Sequence, residues 1–314
     1  MGKLSNPKNT IAVISEHDFD FRKRYGQNFL VDEGVILRTM EAAGLGADDV
    51  VFEVGPGIGT LTQYLCEAAY RVAAIEIDRK LIPVLEDTLK KYGNVEIIHA
   101  DVLKTDLLDL ARKYHAGRVG RAADGENAEQ EDTDERRLAP AHPLKIVANL
   151  PYYITTPILM GLFKQKVPAE SITVMVQKEV ADRMTAGPGS KDYGALSIAV
   201  QYYSRPRIVE IVPPESFLPR PKVTSAVVAM ELYEEPPLRP KDEALFMAIV
   251  RAAFEQRRKT LVNSLGSSPA VPCGKEKVRQ TLEAMDKSPS IRGEALTPEE
   301  FAHLSDLLEA HMPG

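Results

Sequence analysis

One unit recurs between residues 50 and 149. A short apolar run stops at a polar residue or a glycine-rich turn, and a helical period follows most of these runs. They are VVFEV (50–54), RVAAIEI (71–77), VEIIHA (95–100) and KIVAN (145–149). After the first come GPGIGT and a helix carrying Leu61, Tyr64 and Leu65; after the second, a helix carrying Leu81, Val84, Leu85 and Leu89. Short β-branched runs alternating with amphipathic helices predict a mostly parallel sheet with helices on both faces, an α/β fold. Ahead of the first run, Asp32 is placed to cap a helix through Val35, Ile36, Leu37 and Met40 that ends at Gly44. The later runs ITVMV (172–176), RIVEIV (207–212) and SAVVAMEL (225–232) add strands, the last two as an antiparallel pair at one sheet edge.

The proline-rich, charged stretch YEEPPLRPKD (233–242) marks a boundary. Beyond it the pattern is helical only. Leu245, Ile249, Ala252 and Ala253 share a face, and Thr297, Pro298 and Glu300 form a capping box at the last helix. The expected organisation is an N-terminal extension (1–20), a main domain (21–235) with an acidic insertion at about 111–141, and a smaller all-helical C-terminal domain (236–314).

No stretch carries the roughly 18 uncharged apolar residues of a membrane helix. The first residues, MGKLSNPKNTIAVISEHDFDF, lack the apolar core of a secretory signal, and Asn6 stands where myristoylation wants Ser or Thr. Cys66 and Cys273, far apart in sequence, read as reduced thiols and fit a cytoplasmic location. The formal net charge of −6 speaks against a nucleic-acid partner only if it is evenly spread. Acid is concentrated in DGENAEQEDTDE (124–135), which has no aromatic and no apolar period and is expected to be disordered. Basic residues cluster at RKR (22–24), RPK (220–222) and QRRKT (256–260). Each cluster is either an ordinary solvated surface or part of an RNA-facing one.

The strand ends carry the chemistry. In EVGPGIGT, Gly55, Gly57 and Gly59 allow a tight turn and close approach of a ligand to the backbone. The spacing is G-x-G-x-G, not the G-x-G-x-x-G of dinucleotide binding. Glu76 follows at the roughly 20-residue distance from which an acid accepts ribose hydroxyls, with Asp78 as its rival or as a helix cap. Asp101, beside Val102, is placed to accept from the amine of an adenine. At the fourth strand end, NLPYY (149–153), the Asn149 side chain and the Leu150 carbonyl could grip an amino group from two directions, with Tyr152 as a stacking face. That suits a flipped base with an exocyclic amine, adenine or cytosine. Tyr153 is expected only to pack.

In this order, YGQNFL (25–30), FEVGPGIGTLT (52–62), IEID (75–78), HADVL (99–103), VANLPYYITTPIL (147–159) and ESFLPRPKVTSAVV (215–228) resemble the ribosomal RNA adenine N6-dimethyltransferases. FEQRRKTLVNSL (254–265) resembles the small-subunit branch. The resemblance implies a Rossmann-like methyltransferase fold using S-adenosylmethionine, and dimethylation of two adjacent adenines near the 3′ end of 16S rRNA in an immature small subunit. It implies that Asn28 and Leu30 line the cofactor pocket, Gly55 faces the methionine portion, Glu76 the ribose and Asp101 the adenine. Asn149 would lie between cofactor and base, with Phe217 clamping the base opposite Tyr152. Arg220, Lys222, Arg257, Arg258 and Lys259 are the candidate RNA contacts. The sulfonium donor is already activated, so no metal is expected, and a monomer is expected. The acidic insertion departs from the compact connection usual in the family. Competing readings are a large-subunit adenine methyltransferase of the antibiotic-resistance type and an assembly factor with dispensable catalysis. A dehydrogenase fits neither the glycine spacing nor NLPYY.

Overall fold

The computed structural model describes residues 2–17, 28–117 and 142–309. The chain divides into two compact units, Met1–Ala181 with Arg207–Leu232, and Asp182–Pro206 with Tyr233–Gly314.

The first unit opens with α1 (Pro7–Glu16), then β1 (Phe29–Leu30), α2 (Glu33–Ala43), β2 (Val50–Val54), α3 (Thr60–Ala68), β3 (Arg71–Glu76), α4 (Ile82–Leu89) and β4 (Val95–His99). It continues through α5 (Leu107–Lys113), β5 (Ala116–Gly117), β6 (His142–Asn149), α6 (Thr155–Lys164) and β7 (Ser171–Gln177). The chain crosses to the second unit within α7 (Lys178–Thr185) and adds α8 (Ala195–Tyr203). It returns along β8 (Ser204–Val212) to β9 (Phe217–Leu218) and β10 (Ser225–Leu232). The second unit ends with α9 (Glu243–Glu255), α10 (Leu261–Leu265), α11 (Gly274–Ala284) and α12 (Pro298–Glu309).

The main sheet has the order β4-β3-β2-β6-β7-β10-β8, with β5 pairing off this path with β6. The strands from β4 to β7 are parallel, and β10 runs antiparallel to β7. From β2 the chain steps outward one way to β3 and β4, then returns to the other side of β2 for β6 and β7. The order therefore reverses between β2 and β6, and the crevice at the carboxyl ends of strands at such a reversal is where α/β folds bind ligands. Burial explains the strand sequences: every residue of β2 is buried, as a strand covered on both faces requires. β8 and β10 are neighbours at the sheet edge.

Caps set the helix limits. Asp32 accepts from the Val35 N–H at the start of α2, and Gly44 ends that helix in the left-handed region at φ 58°. Asp242 caps α9 through the Ala244 and Leu245 N–H groups. Thr297 and Glu300 form the expected reciprocal box before α12. Among the described residues, no helix is long and apolar enough to cross a membrane.

The structure moves three boundaries. Residues 182–206 belong to the second unit, not to a main domain running unbroken to 235. Tyr193, Ile198 and Tyr202 from this segment share a core with Phe246, Ile249, Phe301 and Leu304, and the Tyr193 hydroxyl donates to the Leu296 carbonyl at 3.0 Å. The N-terminal extension is built into the first unit: Leu4 is fully buried, and Val13 and Ile14 of α1 join it in a core cluster. The connection between β4 and β6 stays regular through residue 117. Lys113 and Tyr114 both bond to Glu96, and β5 pairs in parallel with β6. The acidic stretch 124–135 and the basic cluster 22–24 lie outside the described residues.

Candidate active site

Four successive strand ends open into one cavity at the reversal of strand order. Glu53, Val54 and Gly55 come from β2 and its exit, Ile75, Glu76 and Ile77 from β3, Ala100, Asp101 and Val102 from beyond β4, and Asn149 to Ile154 from β6 and its exit. Asn28, Phe29 and Leu30 form a further wall. Nine sequence-predicted positions therefore meet: Asn28, Leu30, Gly55, Glu76, Asp101, Asn149, Leu150 and Tyr152, with Val102 beside Asp101.

The cofactor-side half starts at the glycine turn. Gly55 has φ 70° and donates to the Ile75 carbonyl at 2.9 Å, which ties the turn to β3. A side chain there would be strained, and its Cβ would approach the Pro151 ring at 3.7 Å. Glu76 is held by the same turn. Its Oε2 accepts from the Gly57 N–H at 3.3 Å and its Oε1 from the Asp78 N–H at 2.8 Å. Each carboxylate oxygen keeps a second lone pair for a ligand hydroxyl. Asp78 accepts from the Lys80 N–H and does not line the cavity, so the structure gives it the local turn and leaves Glu76 at the site. Asp101 accepts from the Leu103 N–H through Oδ1, and Lys104 lies 3.8 Å from Oδ2.

Two polar groups of this half escaped sequence reasoning. Glu53 lies inside β2 at 1% exposure, lines the cavity, and its Oε2 has no hydrogen-bond partner. The Thr60 hydroxyl, at the start of α3, is likewise buried and unpartnered. Burial, with the Glu76 carboxylate adding to it, pushes the Glu53 carboxyl up to about 8. Burial also pushes Glu76 up to about 7, against the bonds from Asp78 and Gly57. A lone acid inside the apolar run VVFEV was the available signal for Glu53. A buried acid with an orphaned oxygen facing a cavity, as at Glu53, calls for a cation or hydroxyl donors. The ammonium, sulfonium and ribose hydroxyls of S-adenosylmethionine supply both, so the residues present fit that cofactor.

The acceptor-side half hangs from β6. The Leu150 N–H donates to Met175 across the ladder at 3.1 Å, fixing the exit. The Pro151 carbonyl is used by the Ile154 N–H and the Thr155 hydroxyl, and neither bond involves the Leu150 carbonyl. Tyr152 is partly buried, and its hydroxyl shares a 2.5 Å hydrogen bond with the Ser225 hydroxyl at the start of β10. Burial raises the Tyr152 pKa, while the Ser225 bond opposes the shift. Ser225 thus holds the ring through its edge and leaves its faces to packing. Nothing in the local sequence marks Ser225 for this, because the pair is 73 positions apart.

Two aromatic expectations change. Phe217 is only 1% exposed and does not line the cavity. It pairs with Leu30 in the two-stranded β1–β9 ribbon and packs in the core with Val35, Leu61 and Val227. Its ring therefore supports the wall formed by Leu30. Tyr153, expected to pack, is 55% exposed and lies on the cavity lining. In the turn after β6, the Tyr152 hydroxyl is held by Ser225 while Tyr153 stays exposed at the cavity.

Of the basic candidates, Arg220, Lys222, Arg258 and Lys259 are exposed. Arg257 is exposed too, but its guanidinium donates to the Lys191 and Tyr193 carbonyls at 2.9 and 2.8 Å. It staples the segment 182–206 to α9 within the second unit.

An acid-and-glycine pocket for an adenosine-bearing cofactor, facing an amide and a tyrosine suited to an amino-bearing base, defines the class: an S-adenosylmethionine-dependent methyltransferase. Residues 18–288 match the family model for ribosomal RNA adenine dimethylase, and the chain belongs to that family. It is 50% identical to the ribosomal RNA small subunit methyltransferase A of Lachnoclostridium phytofermentans, over 99% of this chain and 100% of that one. It is 47% identical to the protein of the same name from Alkaliphilus metalliredigens, over 97% and 98%. Among solved structures it resembles a dimethyladenosine transferase from Plasmodium falciparum in fold (TM-score 0.63, 24% identity, 88% of this chain and 95% of that one). It also resembles the 23S rRNA methyltransferase ErmE (TM-score 0.60, 26% identity, 90% and 100%). The chain is an rRNA adenine methyltransferase with S-adenosylmethionine as its methyl donor.

Proposed function

We propose that this protein dimethylates the N6 amines of two adjacent adenines in the 3′-terminal hairpin of 16S rRNA, acting as a cytoplasmic monomer on an immature small subunit. The observation that carries the reading is the single cavity in which acidic strand ends face NLPY across the reversal of strand order. The names of curated relatives at 50% and 47% identity support the small subunit over the large one. The pocket is lined entirely from the first unit of one chain, which fits a monomer.

When bound, S-adenosylmethionine supplies a methyl group made electrophilic by its sulfonium. Asn28, Leu30, Gly55, Glu76 and Asp101 hold the cofactor side, with Glu53 offsetting its positive charge. On the acceptor side, the Asn149 side-chain oxygen and the Leu150 carbonyl accept from the adenine N6 amine. This draws the nitrogen towards a tetrahedral shape with a localised lone pair and holds it in position. Tyr152 stacks on the flipped base, worth about 1–3 kcal/mol, which offsets much of the few kcal/mol of unstacking. After the first transfer, one N–H remains, so one of the two acceptors is released in the second round. No strong general base is required: the amine proton becomes acidic as the N–C bond forms, and water takes it up. Arg220, Lys222, Arg258 and Lys259 contact phosphates and position the RNA, while the pocket reads the amine.

Labelled methyl transfer to purified immature small subunits, with the modified bases mapped, tests this. Label on two neighbouring adenines near the 3′ end is expected. Label in large-subunit RNA, or at no adenine in either subunit, overturns it.

A further inference from the structure

We propose that the N-terminal segment from Leu4 to Ile14 is a positioning element of the cofactor-side half of the cavity, acting through Phe29 and Gly57 on Glu76. The inference rests on the cofactor reading of that half.

The segment is anchored as a core element. Leu4 is fully buried, and its N–H donates to Gln63 Oε1 at 3.0 Å. Gln63 in turn donates to the Thr88 carbonyl, joining α3 to α4. The Thr10 hydroxyl returns to the Leu4 carbonyl at 2.6 Å, and Ser5 shares a 2.6 Å hydrogen bond with the Tyr64 hydroxyl. The segment is therefore fixed to α3, the helix that follows the glycine turn.

Phe29 connects this anchor to the cavity. It lines the cavity and shares a buried cluster with Leu4, Val13, Ile14 and Ile58. Its ring atoms lie 3.2 and 3.3 Å from where a Cβ on Gly57 would sit, so the ring rests directly on the bare backbone of the turn. Gly57 has φ 62°, and its N–H is the donor to Glu76 Oε2. Packing on one side of Phe29 thus fixes the height of the turn on the other, and with it the direction of the Glu76 carboxylate. Interiors at native density transmit such a shift, because no void absorbs it. The Phe29 pairing with Leu218 in the β1–β9 ribbon prevents the ring from sliding along the strand.

The test is calorimetric titration of S-adenosylhomocysteine into full-length variants held well below their unfolding midpoints. Leu4→Ala is expected to weaken binding about fivefold, in the range for a residue acting through packed neighbours. Leu4→Met should restore it to within about twofold of wild type. Leu304→Ala, a fully buried truncation in the second unit, controls for stability alone and should bind normally. On a Glu76→Gln background, Leu4→Ala should add little, because the path ends at that carboxylate. Normal binding by Leu4→Ala, or full additivity with Glu76→Gln, overturns the proposal. If Leu4→Ala fails to fold, Val13→Ala takes its place with the same criteria. Wild-type protein that does not bind S-adenosylhomocysteine would overturn the cofactor reading itself, an outcome distinct from a normal variant.

Discussion

Glu53 and Glu76 set the pH behaviour of the site. Both carboxyls sit above the ordinary range in the folded chain, at about 8 and about 7, chiefly through burial. A raised acid binds its proton more tightly folded than unfolded. Its contribution to stability is complete below the ordinary carboxylate pKa and is lost as pH rises through the folded value. The unliganded protein should therefore lose on the order of a few kcal/mol between about pH 5 and about pH 8.5. Glu53→Gln should flatten that loss, and S-adenosylhomocysteine, whose ammonium favours ionised carboxylates, should reduce it. Melting temperatures across this range decide the matter: a wild-type midpoint that rises with pH would contradict the assignment. At the acceptor side, Asn149→Ala should abolish methyl transfer while RNA binding stays near wild type. Tyr152→Phe loses only the Ser225 bond and should retain much more activity than Tyr152→Ala, since stacking needs the ring. Equal losses in the two Tyr152 variants, measured as kcat, would argue against stacking.

Elements differ in how openly the sequence announces them, and the reason is range. β2, β3 and β6 are legible because burial on both faces writes an apolar run and because each run stops at a glycine turn or a polar residue of its own. Glycine spacing and the acids Glu76 and Asp101 place the cofactor side for the same reason. The β1–β9 ribbon was not legible, since it joins two-residue strands nearly 190 positions apart and carries no period. Phe217 shows the same limit: its motif suggests a clamp, while its pairing with Leu30, which the local sequence does not announce, buries the ring beside the cavity wall. The same ribbon explains a second job of Asp32. Its Oδ1 caps α2 at Val35, and its Oδ2 accepts from the Ser216 hydroxyl at 2.8 Å, just before β9. Asp32→Ala should cost about 1 kcal/mol for the cap and about another for the stranded hydroxyl. Asp32→Asn, which keeps an acceptor for the cap, should cost less. Denaturation midpoints of the three proteins measure both costs: Asp32→Asn as stable as wild type would show that the Ser216 bond contributes nothing, and indistinguishable variants would show the same of the cap.

At the scale of the whole molecule, the chain builds its second unit from two separated stretches, and this changes how its basic residues must be understood. QRRKT looked like one phosphate-binding cluster because its charges are adjacent in sequence. Adjacent residues after a helix point in different directions, and only a folded partner reveals which one is committed. Arg257 is committed, through its bonds to the Lys191 and Tyr193 carbonyls, to holding residues 182–206 beside α9. Arg258 and Lys259 remain exposed. The three substitutions should therefore separate. Arg258→Ala and Lys259→Ala should leave the melting temperature unchanged, weaken RNA binding, and each reduce the slope of log affinity against log salt by about 1. Arg257→Ala should lower the melting temperature, because two carbonyls of the inserted segment lose a charged donor, and should leave the salt slope near wild type. Binding of a 3′-terminal hairpin fragment at several salt concentrations, read beside thermal melts, tests both halves. A reduced salt slope with an unchanged melting temperature for Arg257→Ala would return that residue to the RNA-facing set and leave the inserted segment held by its apolar core alone.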